Sequence, residues 1–527
     1  MNIRSVFLFF FVLYSTFGFG QYTQIGTGGF PSSNFGPIRT DTASAYYSRF
    51  AFIYPKSTLT NLKPGDSISA ISFQHRSFDS LRGKCSMKVY LKATNQSDFG
   101  AGSINWLAER RNGMTSIYEG NPSQLLGNTP GEVVFKLSQP YAWDTSGGRI
   151  HLQLLVEYTQ TTNQVESMNW MVESSFYVPG FVSGNESKYI YGTSTNGLDS
   201  TTTFSSSIHP TLKIYHPNTT HDLEINKIYS LGTIPLLMVS PDSIKVVVSN
   251  VGKETIQNHK VYLSVSGSNT FKDSVTVSQI DPYTSTFIYF DSYNPSLQGT
   301  ETLRIDAALD SNVSNNSISK NRTVNYNVYS HADPFSPNSG GIGFNGSTGD
   351  FVARFFVDGT SYINQIKVDF NSVGRSFQLG IWEVDANGYP GKELFMSDTS
   401  MSAAGTFIMS VLPRIAVTHS FYVGIRQAGM TNVGFSYQSE VPVRPHTFYF
   451  TAPAGDTTWT PFSPGFNFNF NIQPRLQVAN DIAVLNSVSP IPDSAYYYDE
   501  FDSLEIKAQF INYGYQDQIN IPVKAEL

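Results

Sequence analysis

The sequence predicts an all-β chain of tandem β-sandwiches in an A-B-A-B order, the last of them incomplete. Three observations carry that prediction. Apolar residues alternate with period two, as in "ISFQ" from Ile71, "SIKVVV" from Ser243, "IKVDF" from Ile366 and "FYVGI" from Phe421, and Gly, Pro, Asn and Asp fill the gaps. No segment carries an amphipathic helix of three turns. At 527 residues the chain is too long for one hydrophobic core, and a length of this order predicts about three or four domains.

Residues 1–20 read as a secretory signal peptide. Arg4 precedes an apolar run from Val6 to Leu13, small residues follow at Gly18 and Gly20, and cleavage is expected between Gly20 and Gln21. The run is too short to span a bilayer core of about 30 Å, and no later segment is apolar enough for a transmembrane helix. The mature chain is therefore expected to be secreted or held at the cell surface. Charged residues make up only 14% of the chain, against about 25% in ordinary soluble domains, which fits a weakly charged extracellular surface. A net charge of -7 without Lys/Arg clusters argues against nucleic acid and anionic membranes as partners. Cys85, the only cysteine, cannot form an internal disulfide. It shares a strand face with Met87, Val89 and Leu91 and is expected to be a small core residue.

An internal repeat sets the domain boundaries. A large β region, 21–217, closes with Ile208-x-Pro210-x-Leu212-x-Ile214 and is followed by Asp222; another, 332–479, closes with Ile472-x-Pro474-x-Leu476-x-Val478 and is followed by Asp481. Each leads into a smaller region, 218–331 and 480–527. The smaller regions match each other as "DSIKVVVSNVG" from Asp242 against "DSLEIKAQFINYG" from Asp502. The second copy is longer by an even insertion, which keeps the same side chains facing the core. In phase, Val248, Val246 and Ile244 correspond to Phe510, Ala508 and Ile506, and both runs end in Asn-x-Gly, at Asn250 and Gly252 and at Asn512 and Gly514. That pair is expected to supply positive φ in a turn. The last copy stops near the strand from Val261 to Val265 of the first, so roughly 60 residues of a sandwich of about 100 are expected to lie beyond it.

Asp222-Leu223-Glu224-Ile225, the Asn250-x-Gly252 pair, "HKVYLSV", the "IDPYTS" turn with Pro282 and "DSNVSNN" from Asp310 give the small regions their likeness. They resemble the CARDB-type immunoglobulin-like module, which implies an adhesion-related fold. Through "PYAWDTSGGRIHLQLLVEY" around Trp143, "FQLGIWEVDANGYPGKELF", "FYVGIRQAG" and "TFYFTAPAGDTTWTPF", the large regions are similar to jelly-roll sandwiches of multidomain proteins exported by the type IX secretion system. Such proteins end in a C-terminal sorting domain, which is not found here, so the chain is expected to be incomplete. They also carry O-glycans on Asp-Ser/Thr followed by a small or aliphatic residue. Similar triplets place candidate hydroxyls at Thr42, Ser67, Ser80, Ser200, Ser243, Ser274, Thr457, Ser494 and Ser503; the same pairs also read as ordinary turn or strand-entry residues.

Catalytic motifs give little support to an enzyme. H-E-x-x-H, G-x-S-x-G, G-x-x-x-x-G-K and paired Cys-x-x-Cys do not occur. His209, His216 and His221 form the densest histidine group, with a spacing that fits no common metal site, and are expected to be solvated linker residues. Glu383 and Asp385 approach the paired carboxylates of a glycosidase, but Asp385-Ala386-Asn387-Gly388 reads better as a turn. The same run resembles half a calcium loop without its later carboxylates.

Aromatic platforms are the stronger lead, with 30 Tyr and 5 Trp in the chain. By parity Phe377, Leu379 and Ile381 face one way and Trp382 the other, as Tyr422 and Arg426 do opposite Phe421, Val423 and Ile425. Trp382, Tyr422 and Trp459 are the candidate sugar-stacking residues, with a packed or interface role as the alternative for the same rings. The chain thus reads as a secreted, non-enzymatic adhesion or scaffold protein. It is expected to need no metal or cofactor and to meet an extracellular glycan or surface protein. The rival reading is a carbohydrate-binding accessory region of a larger exported glycan- or protein-degrading enzyme.

Overall fold

A computed structural model describes residues 21–524 apart from 27–28, 43–45, 77–80, 127–130, 165–166, 175–180, 182–183, 194–200, 203, 237–243, 464–465 and 490–505. The expected signal peptide, with Gly20, lies outside the described residues. Alternating apolar runs fold as strands, and Trp106–Arg111 is the single α-helix among the described residues.

In the first large sandwich, sheets of seven and six strands face each other across a core that includes Phe50, Phe73, Val89, Phe135, Leu154 and Trp170. Tyr22–Ile25 pairs antiparallel with Leu212–Tyr215, so the closing strand is stitched to the start of the unit. On Cys85–Thr94 the residues Cys85, Met87, Val89 and Leu91 all point into this core, as parity predicts. Burial pushes the Cys85 thiol pKa up, which keeps it protonated and unreactive.

Two of the three linker histidines are not solvated. His209 is 2% exposed and stacks on Phe181 at 3.9 Å between centroids. His216 is 4% exposed, bonds Thr23 Oγ1 and faces Asp66 at 3.2 Å. Both lie on or beside the closing strands, whose alternation sends them inward; only His221 is exposed.

The small sandwich that follows packs three strands (Leu223–Tyr229, Lys245–Asn250 and Ser285–Tyr289) on five, of which Ile256–Gly267 and Gly299–Ala307 are central. Ile244, Val246 and Val248 all lie in its core, in the expected phase.

The Asn-x-Gly pair does the same work in both copies, though not the work expected of it. Neither Gly252 nor Gly514 has positive φ. A Cβ at Gly252 would sit 2.5 Å from Thr220 O, and one at Gly514 2.6 Å from Ala479 O, so glycine is required by close backbone approach. Asn250 Oδ1 accepts from Gly252 N at 3.0 Å and its Nδ2 donates to Glu254 O at 2.7 Å; the Asn512 equivalents, to Gly514 N and Gln516 O, are 2.9 and 2.8 Å. Val251 N donates to Asp222 O as Tyr513 N does to Asp481 O, and Glu254 N to Thr220 O as Gln516 N does to Ala479 O. The strand Ile482–Ser489 pairs with Lys507–Asn512, with Ile482 opposite Asn512 as Leu223 is opposite Asn250.

The second large sandwich is built around two strands much longer than the sequence suggests, Gly349–Phe370 and Gly405–Gln427, paired antiparallel along most of their length. Register shifts at Phe356/Thr360 and Ile363/Gln365 bend them, and one eleven-stranded sheet wraps round its own core.

The units share material at their junctions. Leu231, Ile234, Val324 and Tyr329, which precede residue 332, belong to the core of the second large sandwich. Beside them Arg444 makes a bidentate ion pair with Glu440, at 2.9 and 2.7 Å, and donates to His331 Nδ1 at 3.0 Å, while His331 Nε2 donates to Arg354 O at 2.7 Å. Burial keeps His331 neutral, with its pKa lowered to about 3. Burial opposes ionisation of Glu440, but Arg444 outweighs it and holds the carboxyl down to about 2. Tyr229 Oη crosses the junction to Pro442 O at 2.7 Å. The first sandwich meets the small one through Tyr215 on Tyr283, 4.8 Å between centroids, and meets the second large one through Arg76, which donates to Pro461 O at 3.2 Å and lies over Phe466.

Candidate binding surface

The outer face of the second large sandwich is laid out by strand register. Trp382, Tyr422 and Arg354 stand in one row across Ser376–Val384, Gly405–Gln427 and Gly349–Phe370; Gly380, Gly424 and Val352 form the next, and Gln378, Arg426 and Asp350 the one after. Gly380 leaves the space into which Trp382 lies back, since a Cβ there would be 2.3 Å from the indole.

The strand Phe448–Thr451 extends the same sheet beside Gly349–Phe370, bringing Tyr449 into the row of Val352, and the segment after it carries Trp459 to this face. Trp459 meets Trp382 edge-on at 6.2 Å, Tyr449 meets Tyr422 at 5.7 Å, and Tyr389 meets Tyr449 at 5.4 Å. Trp382 is 3% and Tyr422 0% exposed, so these rings form a satellite core with Val352 and Tyr449. Trp382 and Tyr422 thus fit the packed role that is the alternative for these rings, each meeting another ring in an edge contact. Burial drives the Tyr422 phenol pKa well up, and its hydroxyl donates to Gly388 O. Trp459 is only partly buried.

What a ligand could touch lies at the rim. Tyr389 is 39% exposed. It is held by a turn in which Asp385 Oδ1 accepts from Asn387 N at 2.9 Å and Tyr389 N at 2.8 Å, as the turn reading of Asp385–Gly388 expects. Phe356 is 45% exposed beneath the Arg354 guanidinium, which donates to Ser420 Oγ at 3.2 Å and leaves its buried Nε without a partner. Arg426 pairs with Asp350 at 2.9 and 3.0 Å and reaches Glu393 at 3.2 Å. The rim offers two partly open rings, Tyr389 and Trp459, with charged groups beside them, a chemistry suited to stacking and to hydrogen-bonding hydroxyls. Sequence reasoning missed Tyr389 and Tyr449. The turn before Tyr389 was the usable signal for the first; the second is buried and offers none. Glu383 and Asp385 line a separate open hollow of about 410 Å³ with His419, and among the described residues no group of three His, Cys, Asp or Glu could hold a metal.

Of the candidate glycan acceptors, Thr42, Ser274 and Thr457 are exposed and Ser67 is half-buried. Ser80, Ser200, Ser243, Ser494 and Ser503 lie outside the described residues. Gln21 is 3% exposed and its side chain bonds Asn218 through both amide atoms. No helix among the described residues is long and apolar enough to cross a membrane.

No family model matches the chain, and no curated protein matches it. Among solved structures it is similar to the CARDB domain of a Pyrococcus furiosus protein in complex with di-metal ions, at 20% identity and a TM-score of 0.18, covering 20% of this chain and 94% of that one. It is also similar to the cysteine protease and lectin-like domains of Cwp84, a surface layer associated protein of Clostridium difficile, at 11% identity and a TM-score of 0.21, covering 42% of this chain and 59% of that one. A third likeness is to the Parabacteroides merdae beta-glucuronidase, at 11% identity and a TM-score of 0.22, covering 53% of this chain and 28% of that one. The chain spans less than two thirds of the length of both enzymes. Scores this low say nothing about ligand or reaction, and the sheets described above stand by themselves in making this an all-β chain of several sandwich units.

Proposed function

We propose that the chain is a secreted, non-enzymatic surface protein whose sandwiches form a fixed scaffold for adhesion. The observation behind this reading is the junction where Leu231, Ile234, Val324 and Tyr329 enter the neighbouring core beside the buried Arg444, Glu440 and His331 network. Inter-domain interfaces without a large apolar component leave relative motion as the default; an apolar junction sealed by a buried ion pair fixes one arrangement. The division at 21–217, 218–331, 332–479 and 480–527, the CARDB-type and jelly-roll identities, cleavage between Gly20 and Gln21, export by the type IX route and O-glycosylation all belong to this reading. The test is to present the chain on beads to a panel of immobilised glycans and extracellular proteins. Retention without turnover supports adhesion, and hydrolysis of any panel member overturns it. Intact-mass measurement of the native protein tests glycosylation at Thr42, Ser274 and Thr457.

The rival, a carbohydrate-binding accessory region, is favoured by the partly open Tyr389 and Trp459. Selective sugar binding that is lost in Tyr389→Ala and Trp459→Ala supports it. Trp382→Ala is a poor test, because that ring is part of the packing.

A further inference from the structure

The junction between the small sandwich and the second large one also forms an open cavity of about 380 Å³ that none of the readings above uses. Its size lies at the lower end of the range for small-molecule clefts, about 300–1,000 Å³. Lys227, Ser319 and Lys320 line it from the small sandwich, and Gln438, Glu440 and Asn469 from the large one.

Its charges are unevenly satisfied. Glu440 is committed to Arg444 and to Asn469 Nδ2. Asp333, also in the wall, accepts from Phe335 N at 2.8 Å and Ser336 Oγ at 3.0 Å. Gln438 spends both amide atoms clamping Asp333 and Ser336. Lys320 Nζ donates to Ser230 O at 3.1 Å, and neither Lys227 nor Lys320 has a carboxylate within ion-pair distance among the described residues. Burial, helped by the charge on Arg444, lowers the Lys320 pKa to about 8, against the opposing pull of Glu440 and Asp333. Asn469 is 4% exposed, and its Oδ1 has no donor. The two ammonium groups thus touch no carboxylate among the described residues, the wall's own Asp333 and Glu440 being held by other partners, and Asn469 Oδ1 lacks a donor.

We propose that this cavity binds a small polyhydroxylated carboxylate, the chemistry of a sugar acid. Lys227 and Lys320 pair with the carboxylate, and Asn469 Oδ1 accepts from a hydroxyl. Phosphate supplies the charge but no array of hydroxyl donors, and a neutral sugar supplies hydroxyls but no charge. Because the walls come from two units, an occupant also ties them together.

Titration calorimetry on the full chain at constant ionic strength tests this with galacturonate, galactose and inorganic phosphate as probes. Saturable galacturonate binding is expected, with galactose and phosphate at least tenfold weaker. Lys227→Gln and Lys320→Gln should each weaken it by roughly tenfold or more, with unfolding temperatures of the free variants checked against the parent. No galacturonate binding, binding unchanged in both variants, or phosphate binding as tightly as galacturonate would each overturn the proposal.

Discussion

Gly252→Ala separates two explanations of the repeated Asn-x-Gly pair. The added Cβ would fall 2.5 Å from Thr220 O and 2.9 Å from Asp222 N, both backbone atoms. Ordinary contact begins near 3.4 Å, so the Thr219–Asp222 segment must retreat by about 0.9 Å. That movement strains the 2.9 Å bond from Glu254 N to Thr220 O. Overpacking of this kind costs about 1–3 kcal/mol, and the weakened hydrogen bond about 1 kcal/mol more. A loss of about 2–4 kcal/mol is expected in the small sandwich. Hydrogen exchange by mass spectrometry on peptides covering 245–280 of the full chain reads it without interference from the other units. Gly252→Asn provides the decisive contrast. If glycine were there for positive φ, Asn would be the mildest replacement; since close approach is the constraint, Asn should cost at least as much as Ala. An Asn variant protected as well as the parent would refute the steric account.

Three other perturbations have defined outcomes. Burial raises the Asp222 pKa from 3.8 to about 6; a group with a raised folded pKa stabilises below its unfolded pKa, and that stability is lost as pH climbs to about 6. The small sandwich should therefore lose roughly 3 kcal/mol between pH 4 and 6, and Asp222→Asn should flatten this dependence in the same exchange assay. Trp382→Ala should cost about 3–5 kcal/mol in denaturant unfolding of the second large sandwich and expose Trp459 to quenchers. Glu440→Gln leaves Arg444 buried without its counter-charge and should cost about 3–5 kcal/mol, whereas replacing both by apolar residues should cost less, as scanning calorimetry would show.

The sequence made some of this legible and hid the rest for physical reasons. Strand parity placed Trp382 and Tyr422 opposite the core face, and so it is. It could not tell that these rings are packed, because Tyr449 and Trp459 arrive from a strand and a loop distant in the chain. The two long strands were hidden because register shifts and the bend near Gly359 and His419, both at positive φ, break the alternation. The burial of His209 and His216 is hidden because a polar residue on or beside a short closing strand carries no signal of the rings and hydroxyls it will meet. The repeat was legible because the same backbone hydrogen bonds recur in both copies, although the reason for glycine became visible only with Thr220 O and Ala479 O in place.

The claim that the units are held in one arrangement is tested most directly by a distance between them. Pulsed dipolar spectroscopy on the full chain, with Cys85 replaced by Ala and nitroxides at Ser274→Cys on the small sandwich and Val373→Cys on the second large one, measures it. Both positions are exposed. A single narrow distance peak is the expected result; a broad or multiple distribution would contradict the fixed junction and, with it, the scaffold reading.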